Sequence, residues 1–580
     1  MMEFLGYRGP DGLNVWLQGS IGLGHALLRS AADAGAPDRQ PERLDGLAIT
    51  ADVRLDSTSE LKSELRQSGR LVVEPASDAM LVLHAYATWG RQCVEHLRGD
   101  FAFGIWDTAR RTLFCARDHF GIKPFYYAHS PKLFLFSNTL NCLKQHPAIT
   151  STLNEAAVGD FLLFGLNYDK STSTFRDIQR LPPAHYLTVS GDTLQIRCYW
   201  EPPTETRIRY ARDQDYVERF QELLRTAVAD RMAPGKQGIL LSGGLDSGSV
   251  AAVTKDLSQS HDGVALVSYT VGYDSLFADS EGAYARKTAE FLGIPNKYLP
   301  LDAVELFDKW DDDNFVLPEP CEDPLNAGFF ELFSLISADC RVAFSGEGPD
   351  NLMYFQMWPY IQELRRSRRW MRLVAETASY AWVRPFPWRG IKSRIQSFSP
   401  KARLVSEFPS WIAPEFARRM GMQQRWRDRG TLANPSGRHA VRPKGYASLA
   451  LPHWTNMFES QDPGVTRCNV EVRYPYLDLR MVDYLLGIPS YPWLYKKMMV
   501  RKAMAGKIPE QVLSRAKTPL AVNPFEKKLR DGGGRRLSRQ LLEGPILEFV
   551  SVPALKLFCD SMMPAMVRPY CLDRWLRYAG

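Results

Sequence analysis

The sequence lacks an uninterrupted apolar run long enough to cross a bilayer, which argues against a membrane-spanning helix. It also lacks the continuous apolar segment of a secretory signal, because Glu3 and Arg8 fall among its first residues. Both absences predict a cytoplasmic protein without a membrane span. The nine cysteines show neither CxxC nor Cys/His ligand spacing, which predicts reduced thiols rather than disulfides or a zinc site.

Two nucleotide-binding signatures are missing as well. No GxxxxGK[ST] string occurs, and no GxGxxG follows a predicted strand, which excludes a Walker loop and a dinucleotide fingerprint. The opening MMEFLGYRGPDGLNVW contains no Cys, Ser or Thr, so it offers no such side chain for nucleophilic catalysis. Its RGPDG string, residues 8–12, is a tight turn signal.

The composition is that of a soluble globular protein. The 580 residues, 45% hydrophobic and 24% charged, predict two to four domains. A net charge of +7 comes from 72 Lys and Arg against 65 Asp and Glu, and much of it lies in two arginine- and tryptophan-bearing stretches, residues 363–373 and 417–430. Such stretches are usually solvated helix faces with arginine stems over apolar surface. The alternative is a docking surface for a peptide or a nucleic acid.

The chain divides into two halves with different periodicity. Up to about Tyr199, short aromatic and β-branched runs predict antiparallel strands, at residues 46–55, 100–107, 112–118, 124–128 and 133–138. Apolar spacing predicts helices over residues 59–68 and 77–90. This half is predicted to be an α+β domain.

After a proline-bearing polar stretch over residues 201–214, which suits a linker, strands and helices alternate. The pattern predicts helices at 215–232, 248–257 and 282–293, and strands at 238–242 and 264–273. Alternation of this kind implies a parallel sheet with right-handed crossovers. In such sheets, ligands bind at the carboxyl ends of the strands.

The first strand of this sheet leads into a glycine-rich loop and then a helix. Glycines allow close approach of an anion, and loop amides together with a positive helix terminus attract it. Asp246 would repel phosphate unless a cation lies between them, and Mg²⁺ is the natural candidate. The candidate nucleotide-binding residues of this loop are Leu241, Ser242, Gly243, Gly244, Leu245, Asp246 and Ser247.

The SGGLDS string resembles the pyrophosphate loop of the ATP pyrophosphatases. With VAFSGEGPDNLMY, residues 342–354, it resembles the synthetase domain of the class B asparagine synthetases. The resemblance implies an α/β, adenine nucleotide alpha hydrolase-like domain over residues 215–580 that uses ATP. It implies that Asp350 is a second Mg²⁺ ligand opposite Asp246. Further expectations concern the second loop: Ser345, Gly346 and Gly348 as nucleotide-binding residues, and Glu347 as a candidate general base.

Two later segments extend this resemblance. VEVRYPYLDLRMVDYLLGIP, residues 470–489, is similar to the family's E-x-R-x-P-x-L-D segment, and KMMVRKAMAGKIPEQVLSRAKTPL, residues 497–520, to its K-x-x-x-R and R-x-K motifs. Lys517 falls on the catalytic lysine of related amide-forming members, where an ammonium stabilises developing charge. Glu471 and Arg473 are either a structural ion pair or substrate contacts.

The N-terminal half resembles the glutaminase domain of the same enzymes. GLGHALLRS, RGDFAFGIWD and ARDHFGIKPFYY carry the likeness, which implies a degenerate Ntn-hydrolase-like sandwich, a class II glutamine amidotransferase-like domain, over residues 1–200. Glutamine hydrolysis needs a thiolate, an oxyanion hole and a clamp on the amino acid. The family's residues for these tasks are expected to be replaced by Met2, Leu27, Ala51-Asp52 and Arg98. We therefore expect no glutaminase activity.

An ATP-cleaving half beside a degenerate glutaminase implies activation of a carboxylate as acyl-AMP, with an amine that does not come from glutamine. The pattern is most similar to the macrolactam-forming cyclases of lasso peptides. That resemblance implies a precursor (core) peptide as substrate, a leader peptidase and a leader-binding protein as candidate partners, and no nucleic acid. Two alternatives remain open: asparagine synthetase-like amidation of aspartate with free ammonia, which Glu347 favours, and small-molecule cyclisation as in β-lactam synthetases, which carry tyrosine at that position. A transfer-RNA modifier and a non-catalytic scaffold are further alternatives.

Overall fold

The computed structural model describes residues 1–29, 40–205, 208–260, 263–277, 279–310, 312, 317–383, 408–429, 438–515, 522–533, 537, 542–556 and 564–579, the side chains of 381–383 and 579 excepted. Within these residues, antiparallel strands dominate the N-terminal half and a parallel sheet organises the second half. The strands are β1 (Gly12–Gln18), β2 (Ile21–Leu27), β3 (Glu42–Leu44), β4 (Leu47–Leu55), β5 (Gly99–Asp107), β6 (Thr112–Arg117), β7 (Tyr126–Ser130), β8 (Leu133–Ser137), β9 (Gln179–Arg180), β10 (His185–Ser190), β11 (Thr193–Cys198), β12 (Gly235–Leu240), β13 (Val264–Gly272), β14 (Asn296–Pro300), β15 (Val342–Phe344) and β16 (Glu471–Arg473).

Helices connect and cover these sheets. The α-helices are α1 (Thr58–Gln67), α2 (Asp78–Trp89), α3 (Leu140–Leu143), α4 (Glu155–Phe164), α5 (Asp213–Ala229), α6 (Leu245–Ser258), α7 (Glu281–Leu292), α8 (Asn326–Ser337), α9 (Pro349–Leu352), α10 (Met357–Arg366), α11 (Trp370–Val383), α12 (Pro414–Arg419), α13 (Met422–Arg427), α14 (Pro443–Ser448), α15 (Pro452–Gln461), α16 (Pro463–Thr466), α17 (Leu479–Gly487), α18 (Met498–Ala503), α19 (Glu510–Ser514), α20 (Pro524–Lys528), α21 (Val552–Lys556) and α22 (Arg568–Ala579). Shorter 3₁₀ turns include Glu3–Arg8, Pro475–Leu477 and Tyr495–Lys497.

The N-terminal half is a four-layer sandwich. Its six-stranded sheet has the order β11-β10-β6-β5-β4-β3, and β8-β7-β9 form a second sheet. Because side chains alternate along a strand, Phe101 and Phe103 of β5 pack on the α1 and α2 side while Ala102 faces the second sheet. Tyr126 of β7 points the other way, into the layer of α3 and α4. The predicted α+β sandwich therefore has helices on both outer faces.

The second half contains the predicted parallel sheet, in the order β14-β13-β12-β15-β16. Helix α5 begins at Asp213, so the last two residues of the predicted 201–214 linker are already helical. The linker is docked rather than free. Ile208 donates its backbone N–H to the carbonyl of Gly487 at 2.9 Å, and its side chain covers that glycine so closely that an added Cβ would lie 2.9 Å from it.

The two halves share apolar cores. Val158 and Phe161 of α4 lie in one buried cluster with Phe416 of α12 and Tyr570 of α22. Because burial of each large side chain contributes roughly 1.5–3 kcal/mol, this shared cluster holds the C-terminal helices firmly on the N-terminal half. None of the described helices is long and apolar enough to span a bilayer. None of the eight described cysteines forms a disulfide, and five of them are buried.

Candidate active site

The SGGLDS loop lies at the carboxyl end of β12, at the centre of the parallel sheet. Leu241 anchors it in the core, only 2% exposed, and α6 begins at Leu245. The hydroxyls of Ser242 and Ser247 lie 2.9 Å apart and close the turn. The positive end of α6 and the loop amides therefore face the same space, as an anion site requires.

Glycine is required at two points of this site. A Cβ on Gly243 would lie 2.7 Å from the Glu281 carbonyl oxygen and 2.8 Å from Cβ of Tyr284. A Cβ on Gly346, in the second predicted loop, would lie 2.5 Å from the backbone nitrogen of Ser247. The two loops thus touch through their backbones, and side chains there would force them apart.

In the structure, the carboxylate of Glu281 occupies one position where an anion could bind. The Gly243 N–H donates to Glu281 Oε2 at 2.9 Å, so a carboxylate stands where a phosphate oxygen would fit. Arg515 contacts both Gly243 and Glu281. Its guanidinium donates to the Gly243 carbonyl at 3.0 Å, pairs with Glu281 at 2.9 Å and stacks over the Tyr284 ring at 4.3 Å. The loop is therefore held on one side by α7 and on the other by the segment after α19.

In the structure, both predicted metal ligands, Asp246 and Asp350, pair with the same cation, the ammonium of Lys497. Lys497 Nζ lies 2.6 Å from Asp350 Oδ1 and also pairs directly with Asp246. Burial lowers the pKa of Lys497, but the two carboxylates outweigh it and raise that pKa above its ordinary value. Two carboxylates converging on one cation are a donor set that suits Mg²⁺. The residues present therefore fit the magnesium-bound triphosphate that the sequence predicts.

Lys497 reaches this position through an uncommon backbone conformation. Lys496 and Lys497 have φ of +50° and +54°, in the left-handed region that side chains other than glycine rarely adopt. The turn ends the 3₁₀ segment Tyr495–Lys497 and starts α18. Strain of this kind persists where the surrounding structure fixes it, and it often accompanies a functional side chain.

The other residues predicted for this site are Ser345, Gly348, Glu347 and Lys517. Ser345 is buried and Gly348 has φ of +124°, which permits the turn into α9. Glu347 is exposed at the loop tip, where its backbone N–H donates to the Ser345 hydroxyl at 3.3 Å. Lys517, the predicted catalytic lysine, lies outside the described residues.

Sequence reasoning missed three members of this site. Lys497 lies in the K-x-x-x-R motif and Arg515 in the R-x-K motif, but the sequence alone assigns neither residue a role. For Glu281 the sequence offers one signal: it lies in the first turn of α7, the helix that follows the next strand after the loop. Glu471 and Arg473 form an ion pair, with nitrogen and oxygen 3.2 Å apart, and the Arg473 guanidinium also donates to the Arg231 carbonyl at 2.6 Å. A substrate contact of either residue stays a prediction.

A second candidate site is a cavity of about 440 Å³ between the N-terminal sandwich and the end of β16. Asp52 lies on its wall and is surrounded by donors: Lys123 at 2.8 Å, Asn138 at 3.0 Å and Arg8 at 3.4 Å. Arg8 also pairs with Asp462 of the second half. We call this set of contacts the cavity network; it crosses the boundary between the halves.

The cavity network neutralises itself. Burial alone would raise the pKa of Asp52, but Lys123 and Arg8 hold it below its ordinary value. Burial would likewise lower the pKa of Lys123, yet Asp52 and Glu471 raise it. His25 on the same wall is neutral near pH 7, because burial lowers its pKa to about 4. The charged groups here therefore satisfy one another.

The predicted replacements fall on this cavity with one exception. Met2, Leu27 and Ala51-Asp52 line it, and the Met2 sulfur lies against Gly24. The expectation for Arg98 is wrong: it does not line the cavity, and it pairs with exposed Glu60 at 2.8 Å because it precedes β5 on the helix side of the sheet. The acid on the cavity wall is instead Asp78, at the start of α2.

A third group of acids lies where the halves meet. Asp56, Asp230 and Asp478 bring carboxylate oxygens within 4.8 Å of one another, as a metal site would. Arginines already occupy the space between them, in the pairs Arg231–Asp56, Arg231–Asp478 and Arg480–Asp230, at 2.8, 2.8 and 2.7 Å. The group is an ionic contact between the halves rather than a vacant cation site.

Comparison with known proteins matches both halves to family descriptions. A glutamine amidotransferase domain matches residues 1–200, and asparagine synthase matches residues 219–569, more than half of the chain. Together with the observed sheets, these matches confirm the predicted fold class, an Ntn-type sandwich followed by a parallel-sheet synthetase domain.

Individual relatives cover most of the chain. Asparagine synthetase [glutamine-hydrolyzing] 3 of Bacillus subtilis is 28% identical over 536 residues, 90% of this chain and 83% of the relative. Amidase chry2 of Gibberella zeae is 26% identical over 553 residues, 84% of this chain and 78% of the relative. A solved glutamine phosphoribosylpyrophosphate amidotransferase from B. subtilis aligns with 48% of this chain and 51% of its own, at 15% identity and a TM-score of 0.22.

Proposed function

The chain belongs to the asparagine synthase family and is an ATP-dependent carbon–nitrogen ligase, and on that premise we propose that it closes a macrolactam ring in a peptide. A side-chain carboxylate of the peptide attacks the α-phosphorus of the co-substrate ATP, giving acyl-AMP and pyrophosphate. The N-terminal amine of the same peptide then attacks the acyl carbon. The C–O bond to AMP breaks, the amine loses a proton, and the peptide is lighter by one water.

The chain's own residues have distinct tasks in this reaction. The loop amides and the start of α6 bind phosphate oxygens, and Asp246 and Asp350 would hold Mg²⁺, which neutralises charge on departing pyrophosphate. Lys517 is proposed to stabilise charge on the acyl centre. Glu347, exposed at the loop tip, is the candidate base for the amine.

One observation carries the choice of amine. Asp52, on the wall of the candidate glutaminase cavity, is enclosed by Lys123, Asn138 and Arg8. A fixed carboxylate among its own donors leaves that wall without the oxyanion-stabilising amide geometry that glutamine hydrolysis needs. The amine is therefore proposed to come from the substrate itself, where holding both ends together replaces delivery of ammonia and lowers the barrier by several kcal/mol.

A second candidate function is amidation of aspartate with free ammonia. Glu347 in the SGEG string supports it, as does the similarity to a protein named asparagine synthetase [glutamine-hydrolyzing] 3. The two candidates share ATP cleavage and differ in whether the amine is tethered to the acid.

Mass spectrometry of reaction products separates these candidates. The full chain is incubated with ATP, Mg²⁺ and the leader-cleaved core peptide encoded beside its gene, and in parallel with aspartate and ammonium. Cyclisation predicts a peptide lighter by one water and one AMP released per ring. Matched peptides with an acetylated N-terminus, or with the ring-forming acid replaced by its amide, should stay linear.

Other products would overturn the proposal. Asparagine formed from aspartate and ammonium, with the peptide unchanged, would establish the second candidate. Release of ADP instead of AMP would remove the adenylation step from both.

A further inference from the structure

The helical pair that follows Asp350 carries exposed arginines without acidic partners. We define the arginine hairpin as α10, α11 and the turn between them, residues 357–383. Its exposed arginines are Arg365, Arg366, Arg368, Arg369 and Arg372. Within the described part of the chain, none of these guanidinium groups forms an ion pair. The hairpin therefore presents a positive surface that the protein does not neutralise.

Several exposed arginines elsewhere in the chain pair with acids. Arg212 pairs with Asp215 on α5, Arg225 with Asp256 across α5 and α6, and Arg438 with Glu201. Exposed ion pairs of this kind change stability by only about 0–1 kcal/mol each, and they form where an acid lies near. The hairpin contains two glutamates, Glu363 and Glu376, but neither forms an ion pair with these arginines, and Glu376 accepts from the Tyr360 hydroxyl at 2.6 Å instead. Exposed arginines without an ion pair also occur elsewhere in the described part of the chain, for example Arg418 and Arg427, but five of them lie together on this hairpin.

Large apolar side chains are exposed beside the arginines. Met371 is 89% exposed, Val374 69%, Trp358 65% and Trp370 56%. Tryptophan, methionine and arginine together are the side chains enriched at the centres of binding interfaces. Singly such residues need no explanation, but their concentration on one helical hairpin indicates a surface that is covered during function.

A further arginine faces this surface from the linker. Burial lowers the pKa of Arg209, and the guanidinium groups of Arg369 and Arg372 lower it further. The Arg209 guanidinium donates to a backbone carbonyl, that of Ile208, at 3.1 Å. Arg209 therefore adds a third positive charge near Arg369 and Arg372, where a bound anion would be favourable.

The arginine hairpin is also attached to the nucleotide site. Its inner face packs on Tyr491 and Tyr495: the Tyr380 ring lies 5.2 Å from that of Tyr495, and the Ser379 hydroxyl lies 2.8 Å from that of Tyr491. Tyr495 is two residues before Lys497, which pairs with Asp246 and Asp350. A ligand on the hairpin would thus be held by the same packed unit that carries Lys497.

We propose that the arginine hairpin binds an acidic segment of the peptide substrate and positions that peptide for activation, an inference that rests on the proposed function. Guanidinium groups recognise carboxylates through paired hydrogen bonds, and the exposed tryptophans and Met371 cover the peptide's apolar side chains. A nucleic acid could stack bases on Trp358 and Trp370, but Met371 and Val374, the two most exposed apolar side chains here, offer no stacking face, so we favour the peptide and include an oligonucleotide in the test. The arginines act on binding and position rather than on bond making.

Binding is measured without ATP, so that it does not depend on ring closure. Fluorescence anisotropy of the full chain uses a labelled glutamate-rich peptide, its glutamine counterpart, and a single-stranded DNA oligonucleotide of equal net charge. The hairpin variant is Arg369→Gln with Arg372→Gln. The matched control is Arg418→Gln with Arg427→Gln, which removes equal charge from exposed positions on α12 and α13.

The acidic peptide should bind the wild-type chain and the control alike, and the hairpin variant about tenfold or more weakly. Added salt should weaken binding to the wild type more than to the variant. The glutamine peptide should bind weakly to all three. Equal melting temperatures of the two variants show that the difference is not one of folding.

Two results would overturn the inference: equal affinity of the hairpin variant and the control for the acidic peptide, or tighter, arginine-dependent binding of the oligonucleotide. Failure of the proposed function looks different, because acidic peptide would still bind while no peptide is cyclised. Where a peptide is cyclised, the hairpin variant should raise KM with kcat nearly unchanged, as expected for a positioning surface.

Discussion

The nucleotide loop and the interdomain cavity both gather acidic side chains, but they differ in exposure to solvent. At the loop, Asp246 and Asp350 both pair with the ammonium of Lys497, and Asp350 is 46% exposed. In the cavity, largely buried acids and bases pair with one another: Arg8, Lys123 and Arg473 with Asp52, Asp462 and Glu471.

This difference separates a site prepared for a ligand from a site that has become structural. Carboxylates that converge near solvent can bind a divalent cation, which can take the place of the lysine ammonium. A balanced and buried network gains nothing from an added ion, and removing any one member leaves a partner unpaired. The comparison predicts that substitutions at the loop affect catalysis and substitutions in the cavity affect stability.

The largest expected effect is that of Asp246→Asn. Removing one of two metal-binding carboxylates should lower AMP release on the order of 1,000-fold, because metal stabilisation of the departing pyrophosphate is worth several kcal/mol. Asp256→Asn is the matched control: it lies on the same helix, 65% exposed and paired with Arg225. Turnover is measured as AMP and pyrophosphate release. Near-normal turnover in Asp246→Asn would erase the distinction between loop and cavity.

The second prediction concerns Asp52→Asn in the cavity. It removes the carboxylate that buried Lys123 and Arg8 share and leaves them only Glu471 and Asp462, so the free energy of unfolding should fall by about 2 kcal/mol. Chemical denaturation measures it, and Asp45→Asn, at a 65% exposed acid paired with Arg70, should change little. Retained stability would show that the network is not what holds this boundary.

The same variant has a signed pH dependence. The folded pKa of Asp52 is depressed, so its contribution is present above the ordinary pKa of an aspartate and is lost as pH falls through the lower folded value. The stability gap between wild type and Asp52→Asn should therefore be constant near pH 7 and narrow below roughly pH 4. A gap that widens in acid would contradict the assignment.

A smaller effect is expected for Lys497→Met. The ammonium that now neutralises Asp246 and Asp350 would be gone, so Mg²⁺ should bind about tenfold more tightly, a difference of roughly 1.4 kcal/mol. The rise of melting temperature with Mg²⁺ concentration measures it. Lys502→Met, at a 44% exposed lysine with Asp213 3.8 Å away, should respond like the wild type. Identical titrations for the two variants would place the cation site elsewhere.

The same contrast explains what the sequence could predict. The SGGLDS loop is a local strand–turn–helix unit, so its position at the end of β12 follows from neighbours in the chain. Lys497 is separated from Asp246 by 251 residues and depends on a left-handed turn that no local pattern announces. Its role was therefore visible only once the chain was folded.

In the cavity, the sequence-based expectation for Arg98 is wrong. The resemblance of RGDFAFGIWD to a glutaminase domain puts Arg98 in the place of an acidic residue, but side-chain direction decides what a residue at a strand end faces, and Arg98 turns to Glu60. Asp78, twenty residues earlier and on a helix, supplies the wall instead. The proposed role of Lys517 stays a prediction, because that residue lies outside the described chain.

The smallest expected effect is that of Leu27→Arg, which should leave glutamine hydrolysis undetectable. Leu27 is buried on the cavity wall, and an arginine there would restore only the clamp on the substrate carboxylate. The described thiol on this wall is Cys142, whose pKa is raised by burial, so little thiolate is present to attack an amide. Ammonia release from glutamine, coupled to glutamate dehydrogenase, measures the activity, and thermal melting verifies that the variant folds. Any ammonia above the wild-type level would mean that the cavity still holds the rest of a working site, and that its balanced charges are compatible with catalysis after all.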